Sequence, residues 1–600
     1  MNSEISEGEE YGMKKDRIMA FVLAAAMSAS LLAGCSSNGK PGTAAQAQSV
    51  SEQQAEAPSA PVADETDASE AEAMSAEKTE ETESSMESPE PELQLEEVSL
   101  PLFEETRTYT MWTMLPFFMN GLVSDMATDI NNMKLLQENC NVKLDVTAVG
   151  DSVVSEQFNL MVSSGDYTDI ISDGVSHYSK GYDAAITDDI IIDLLDLAQE
   201  YAPNYMYYLE TDPSLRAALI TDNGCLPTVA TIYKEAGCEN GGILIRGDWL
   251  RELGMDPPET FDAFHDYVQA CIDKYGAQGI TIGNMMADCC GDDSLYSYGY
   301  DLYAGGYNVI DGQVVYSYLN DSYYDYLRML ADWYQDGTLY SDFFNVQMGS
   351  TDKWFASGQC PVDTGTAANI ATIESYADEN YTYELMPIHA PKVHADDELH
   401  FSWTDNFSRI KQQDSWAIST ACQDPEGIMM MVNYLFSEAG QLMYNYGDEG
   451  HSFEYDAEGK PQYTELITNN PDGISYKDAC YLYASAVASG HLPSIMDVRA
   501  GYYYFGDEEW EIFDTFRTCD ADGSYNLPNG VALNEQENQE YATISSDITT
   551  YASTEIMKFI LGQSDLTPET FKEFQDTILS MGGARMEELY QQAYERYLLK

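Results

Sequence analysis

The sequence predicts an α/β protein, and three observations carry that prediction. Strand-length apolar runs alternate with amphipathic helical stretches from about residue 107 onward. The first of these read β-α-β-α-β, which argues for a mostly parallel sheet. Apolar residues make up 44% and aromatic residues 12% of the 600-residue chain, enough for a substantial core. That length predicts two or more domains, or one large bilobal unit.

Taken in order, Arg107–Leu115 (RTYTMWTML) reads as a strand. Ser124–Asn139 follows as a helix with Met126, Ile130, Met133 and Leu136 on one face. Val142–Val149 alternates like a strand, Val153–Val162 reads as helix, and the Gly165-Asp166-Tyr167 turn leads into Asp169-Ile170-Ile171. A second series opens with a strand at Ile243–Ile245 and a helix at Asp248–Leu253, which Pro257-Pro258 terminates. The next helix, Thr260 to about Tyr275, lines up Phe261, Phe264, Val268 and Ile272. Asp352–Ser357 reads as helix, Pro361–Asp363 as strand, Tyr383–Pro387 as a crossover and Ser415–Ser419 as strand. Pro425–Phe436 and Pro568–Leu598 are expected to be helical.

Ahead of this part lies a targeting segment. Lys14, Lys15 and Arg17 precede an uncharged run from Ile18 to Ala33, too short to span a bilayer and suited to a signal-peptide core. It ends Leu32-Ala33-Gly34-Cys35, which resembles a bacterial lipobox. The Cys35 thiol is thus the expected lipidation site of a 1–35 signal peptide whose true start is expected at Met13. Residues 36–105 hold 18 Asp and Glu against two lysines and few aromatic residues, so a disordered acidic tether is expected there.

Charge excludes several functions. With 102 acidic and 28 basic residues the net charge is −74, which repels nucleic acid and anionic lipid alike. Membrane attachment through the N-terminal lipid only is therefore expected. Ten cysteines besides Cys35 are free to pair outside the cytoplasm, with Cys225–Cys238 a candidate loop closure beside the alternative of buried free thiols. No G-x-S-x-G, phosphate-loop, H-E-x-x-H or G-x-G-x-x-G motif occurs. His389, His394 and His400 are spaced too irregularly for one helix face, and Asp520-Ala521-Asp522-Gly523-Ser524 lacks the rest of a calcium loop. No cofactor, no metal and no catalytic residue is assigned.

Several blocks then carry a resemblance. Arg246-Gly247-Asp248-Trp249-Leu250-Arg251-Glu252-Leu253-Gly254, with Pro258, Thr260 and Phe261 behind it, is similar to a segment of the extracellular solute-binding proteins of ABC importers. The oligosaccharide and lipoprotein branch of family 1 is the nearest. Gly165–Ile170, Lys353–Gly358, Trp416–Thr420, Asp424-Pro425-Glu426, Tyr434–Gly440, Tyr446–Tyr463 and Gln592–Tyr597 resemble further blocks in family order. The resemblance implies a bilobal type II periplasmic-binding-protein fold, two α/β lobes joined by hinge strands. It maps residues 106–230 and 385–470 to an N-lobe, and 235–382 and 472–600 to a C-lobe. Crossovers are expected near Thr228–Ile232, at Tyr383–Pro387 and after Thr464.

The function so implied is a monomeric, lipid-anchored receptor on the outer face of the cell membrane. It captures an extracellular oligosaccharide and delivers it to an ABC permease by clamshell closure. A surface carbohydrate-active enzyme, or the same fold binding a peptide or other solute, is the alternative. Sugars need a flat apolar face to stack on and polar forks for their hydroxyls. That points to Trp112 at the end of the first strand and Asp173 after the third, to Trp403, Asp405 and Asn406 in one polar loop, and to Tyr502, Tyr503, Tyr504 and Trp510. Trp249 and Trp333 sit at core spacing on helices. The acidic surface argues against polyanionic ligands such as uronates unless metal intervenes.

Overall fold

A computed structural model of the chain describes residues 94–600 apart from 117–118, 237–240, 283–294, 347–349, 367–368, 377–382, 403–408, 485–490, 502–506 and 519. The signal peptide, Cys35 and most of the tether lie outside the described residues. In chain order the strands are β1 (Arg107–Leu115), β2 (Val142–Gly150), β3 (Ile170–Ser172), β4 (Val229–Tyr233), β5 (Gly241–Arg246), β6 (Tyr307–Ile310), β7 (Gln313–Tyr316), β8 (Val362–Thr366), β9 (Leu385–Ile388), β10 (Ile410–Ile418), β11 (Phe453–Tyr455), β12 (Pro461–Tyr463) and β13 (Ile495–Met496). Among the described residues no helix is long and apolar enough to cross a membrane.

The first lobe is built on a six-stranded sheet ordered β13-β4-β10-β3-β1-β2. β1 runs parallel to β2 in unbroken register from Arg107↔Val142 to Leu115↔Gly150, and parallel to β3 on its other side. The predicted parallel opening is therefore present. β10 is antiparallel to both β3 and β4 and ties the halves of the sheet together. The predicted Ser124–Asn139 helix is two helices, Met126–Asp129 and Asn131–Cys140, because Ile130 adopts an extended conformation (φ −87°, ψ 123°). The Asp129 carboxylate curls back to accept the Ser124 and Asp125 N–H groups, closing the first turn before the second helix starts.

The second lobe holds a three-stranded sheet, β8-β5-β9, antiparallel throughout, and the hairpin β6–β7. Its core gathers Phe264, Tyr267, Trp333 and Tyr296 around the helices Phe261–Tyr275 and Ser322–Asp336. Trp249 and Trp333 are buried there, as their spacing predicts. The Arg246-Gly247-Asp248-Trp249 block is structural. Arg246, 1% exposed, donates to both Asp248 carboxylate oxygens and stacks 4.3 Å from the Trp249 ring, locking the turn from β5 into the helix Gly247–Leu253.

Three expected boundaries move. β9 (Leu385–Ile388) pairs with β5 as an edge strand of the second lobe, so the crossover expected at Tyr383–Pro387 falls instead between Ile388 and Ile410. β13 pairs with β4, which puts residues 472–484 and 491–496 in the first lobe; the last crossover follows Met496. The tether ends earlier than residue 105, since Phe103 is 4% exposed and Asn204 brackets the Glu96 backbone with two hydrogen bonds. Val98, Leu102 and Phe103 supply enough apolar surface to bind this stretch to the first-lobe core.

Candidate functional site

A cavity of about 530 Å³ opens between the lobes. Its first-lobe wall comes from residues 176–183 beyond β3, residues 218–222, Pro227, Thr228 and Ala230 at the start of β4, and Ile410 and Ser415 on β10. The second-lobe wall is the loop 529–535, Asn538 on the helix Glu535–Ile560, Tyr590 on the helix Gly583–Tyr597, and Lys600. The lobes approach closely here. A Cβ added to Gly530 would stand 2.6 Å from Ala218 Cα, and one added to Gly181 (φ +84°) would stand 3.2 Å from Asn538 Nδ2. The lining combines Tyr178, Tyr182 and Tyr590 with serine, threonine and asparagine, flat apolar faces and neutral hydrogen-bonding groups beside the charged Lys180, Asp183, Asp222, Glu535 and Lys600. Burial, and then the nearby Asp173 carboxylate, push the Tyr182 hydroxyl up to about 12, so it stays protonated as a donor.

Ion pairs bridge the rim. Arg596, on the second lobe, donates to Asp222 of the first through Nε (2.5 Å) and grips Glu537 through both terminal nitrogens (2.7 and 2.6 Å). Lys600 Nζ reaches Asp222 Oδ1 (3.0 Å) and the Ile220 carbonyl (2.9 Å). Burial opposes the charge on Asp222, but the hydrogen bonds from Arg596 and Lys600 outweigh it and hold the carboxyl below its usual range. Lys180 pairs with Asp188 (2.5 Å) and, across the gap, with Glu535 (3.8 Å). Next to this cavity lies a smaller one of about 170 Å³, where Arg409 donates to Asp212 (2.9 Å) and to the Tyr233 carbonyl (3.0 Å).

The residues expected at the site fare differently. Trp403, Asp405, Asn406, Tyr502, Tyr503 and Tyr504 lie outside the described residues. Trp112 is 5% exposed and packs 6.1 Å from the Phe158 ring, because β1 is a central strand covered on both faces. Trp510 is half-buried beneath Arg499 (4.8 Å) and beside Phe513 (5.3 Å), and does not line the cavity. Asp173 sits directly behind the cavity wall. One carboxylate oxygen accepts the Ser415 N–H (3.0 Å) and the other lies 2.8 Å from His491 Nδ1, so the group is committed to the protein. Both Asp173 (φ 61°) and His491 (φ 58°) are in the left-handed region, where only a strongly held residue other than glycine persists. Tyr178, Tyr182 and Tyr590 escaped the sequence reading. Their sole sequence signals are the polar Ser176–Asp183 stretch and the Pro528-Asn529-Gly530 turn opposite it.

Two loops set aside in the sequence meet each other. His389 lies 2.8 Å from Asp520 and His400 3.2 Å from Asp522. Among the described residues no group of His, Cys, Asp and Glu is arranged to hold a metal ion. Cys225 is a free thiol, and Cys238 lies outside the described residues. A larger cavity, about 1080 Å³, lies wholly within the second lobe and is walled by carboxylates such as Asp262, Asp325 and Asp332. A ligand held by one lobe alone has no differential contact with open and closed forms and cannot drive closure. The interlobe cavity is therefore the candidate site.

Residues 122–442 match the family described as bacterial extracellular solute-binding protein. The chain belongs to that family. Lipoprotein LipO of Bacillus subtilis (strain 168) is 21% identical over 417 residues, covering 67% of this chain and 76% of that protein. The fructooligosaccharide ABC transporter substrate-binding protein FusA of Streptococcus pneumoniae serotype 4 is 29% identical over 189 residues, 29% of this chain and 32% of that one. The solved HMO-binding, ABC-transporter-associated solute-binding protein from Bifidobacterium longum infantis superposes with a TM-score of 0.66 at 14% identity, over 82% of this chain and 99% of that one. The alginate-binding protein AlgQ2 without calcium ion gives 0.63 at 19% identity over the same shares. These likenesses establish the bilobal periplasmic-binding fold. As a member of the solute-binding family the chain is a binding protein and not an enzyme.

Proposed function

We propose that the protein is a receptor, lipid-anchored through Cys35 on the outer face of the cell membrane, that captures an oligosaccharide between its lobes and hands it to an ABC permease. The observation that carries this reading is the interlobe cavity of about 530 Å³, lined from both sides by tyrosines, hydroxyls and amides. That volume falls within the usual range for small-ligand sites, and its lining suits sugar hydroxyls and ring faces. The names of relatives support it: FusA is a fructooligosaccharide ABC transporter substrate-binding protein, and another relative, YtcQ of Bacillus subtilis, is a polygalacturonan/rhamnogalacturonan-binding protein. Closure follows as a hinge motion in which ligand joins the two walls. Trp403, Asp405, Asn406 and Tyr502–Tyr504 remain proposed ligand contacts.

Titration of the full chain with an oligosaccharide panel tests the reading. Saturable stabilisation without product is expected for at least one sugar, and Trp403→Ala is expected to weaken that binding by roughly 1–3 kcal/mol if the ring stacks on it. Turnover of any panel sugar, or no binding to any, overturns the receptor assignment.

A further inference from the structure

We infer that the interlobe cavity selects a short uncharged oligosaccharide and discriminates against uronates, because each cation facing it is already neutralised by the protein's own carboxylates. This rests on the oligosaccharide reading above and narrows it. Two lysines face the cavity and one arginine its smaller neighbour. Lys180 is held between Asp188 and Glu535, Lys600 is bound to Asp222, and Arg409 to Asp212. Asp183 adds a further negative wall, its carboxylate accepting the Thr221 hydroxyl at 2.5 Å.

Within residues 94–600, the segments outside the described residues offer no relief. Residues 117–118, 237–240, 283–294, 347–349, 367–368, 377–382, 403–408, 485–490, 502–506 and 519 contain aspartates and glutamates but not one lysine, arginine or histidine. No cation can therefore enter the site from those segments. A sugar carboxylate brought into this cavity would have to displace Asp188, Glu535 or Asp222 from its partner, or be desolvated beside like charges. A neutral hydroxyl meets no such obstacle, since the serine, threonine, asparagine and tyrosine groups of the lining both donate and accept. The bias is specificity by repulsion: the unwanted ligand is penalised and the wanted one is left untouched. It separates this chain from relatives whose names carry acidic polymers.

Isothermal titration of the full chain with trigalacturonate, its fully methyl-esterified form, and neutral trisaccharides including kestose tests the inference. At least one neutral trisaccharide is expected to bind a hundredfold or more tighter than trigalacturonate, and esterification is expected to recover at least tenfold of any deficit. In D188N/E535Q, which frees Lys180, trigalacturonate affinity is expected to rise at least tenfold. Trigalacturonate binding as tightly as the best neutral sugar overturns the inference while leaving the receptor reading intact. An unchanged ratio in the double variant overturns the assignment to these carboxylates. Absence of binding by every sugar, charged or neutral, overturns the oligosaccharide reading itself.

Discussion

Asp363 lies on β8 at 2% exposure with Asp352, also 2% exposed, close beside it. Burial first, and the like charge of Asp352 second, push the Asp363 carboxyl well above its usual range. The sign of the consequence follows. Below an unfolded-state value near 3.9 the group is protonated in both states and costs nothing. As pH rises past that value the unfolded chain ionises freely while the folded one holds its proton, so stability falls. Asp363→Asn is therefore expected to raise the melting temperature at pH 7, with the gain over the parent closing as pH drops toward 4. A melting series that shows no gain at neutral pH defeats this account. Asp173 makes the complementary point: its type and position after β3 were readable, but its commitment to Ser415 and His491 was not, because those partners are 242 residues or more away.

At the scale of elements, the helix Glu535–Ile560 presents the wall residues Glu535 and Asn538 to the cavity. Asn534 caps it, accepting the Glu537 N–H (3.0 Å), while Glu537 accepts the Asn534 N–H in return (2.8 Å). Asn534→Ala is expected to cost about 1 kcal/mol of stability, measured by denaturant unfolding with the m-value unchanged; a loss indistinguishable from zero removes the cap from the energetics. This helix of 26 residues leaves little mark in the sequence, because hydroxyl, acidic and amide side chains fill more than half of it and only a narrow stripe including Ile548, Ala552 and Ile556 is buried. The reverse holds at Pro568–Leu598, where the sequence predicts helix throughout. Gly582, at φ 113°, breaks it into Pro568–Met581 and Gly583–Tyr597. That turn is what swings the last helix, with Tyr590 and Arg596, toward the first lobe.

For the molecule as a whole, the Arg596–Asp222–Lys600 cluster fastens the lobes on one side of the cavity. Asp222→Ala is expected to widen the ligand-free molecule, read as an increase in radius of gyration by X-ray scattering. The same widening is expected in the parent under acid conditions. Because the folded-state value of Asp222 is depressed, its contribution is complete above about 4 and fades as pH falls through the lower folded value. A radius unchanged in both experiments shows that the ion pairs do not hold the lobes.

The sequence by itself determined the α/β class, the parallel opening of the first sheet, the core places of Trp249 and Trp333, and the resemblance that the family match upholds. These features leave a mark on neighbouring residues, since periodicity and motif spacing report contacts a few positions apart. Only the tertiary structure decided where the chain crosses between lobes, which tyrosines face the cavity and which charges cancel there. The physical reason is separation: Arg596 and Asp222 stand 374 residues apart, and no local pattern encodes a bond of that length.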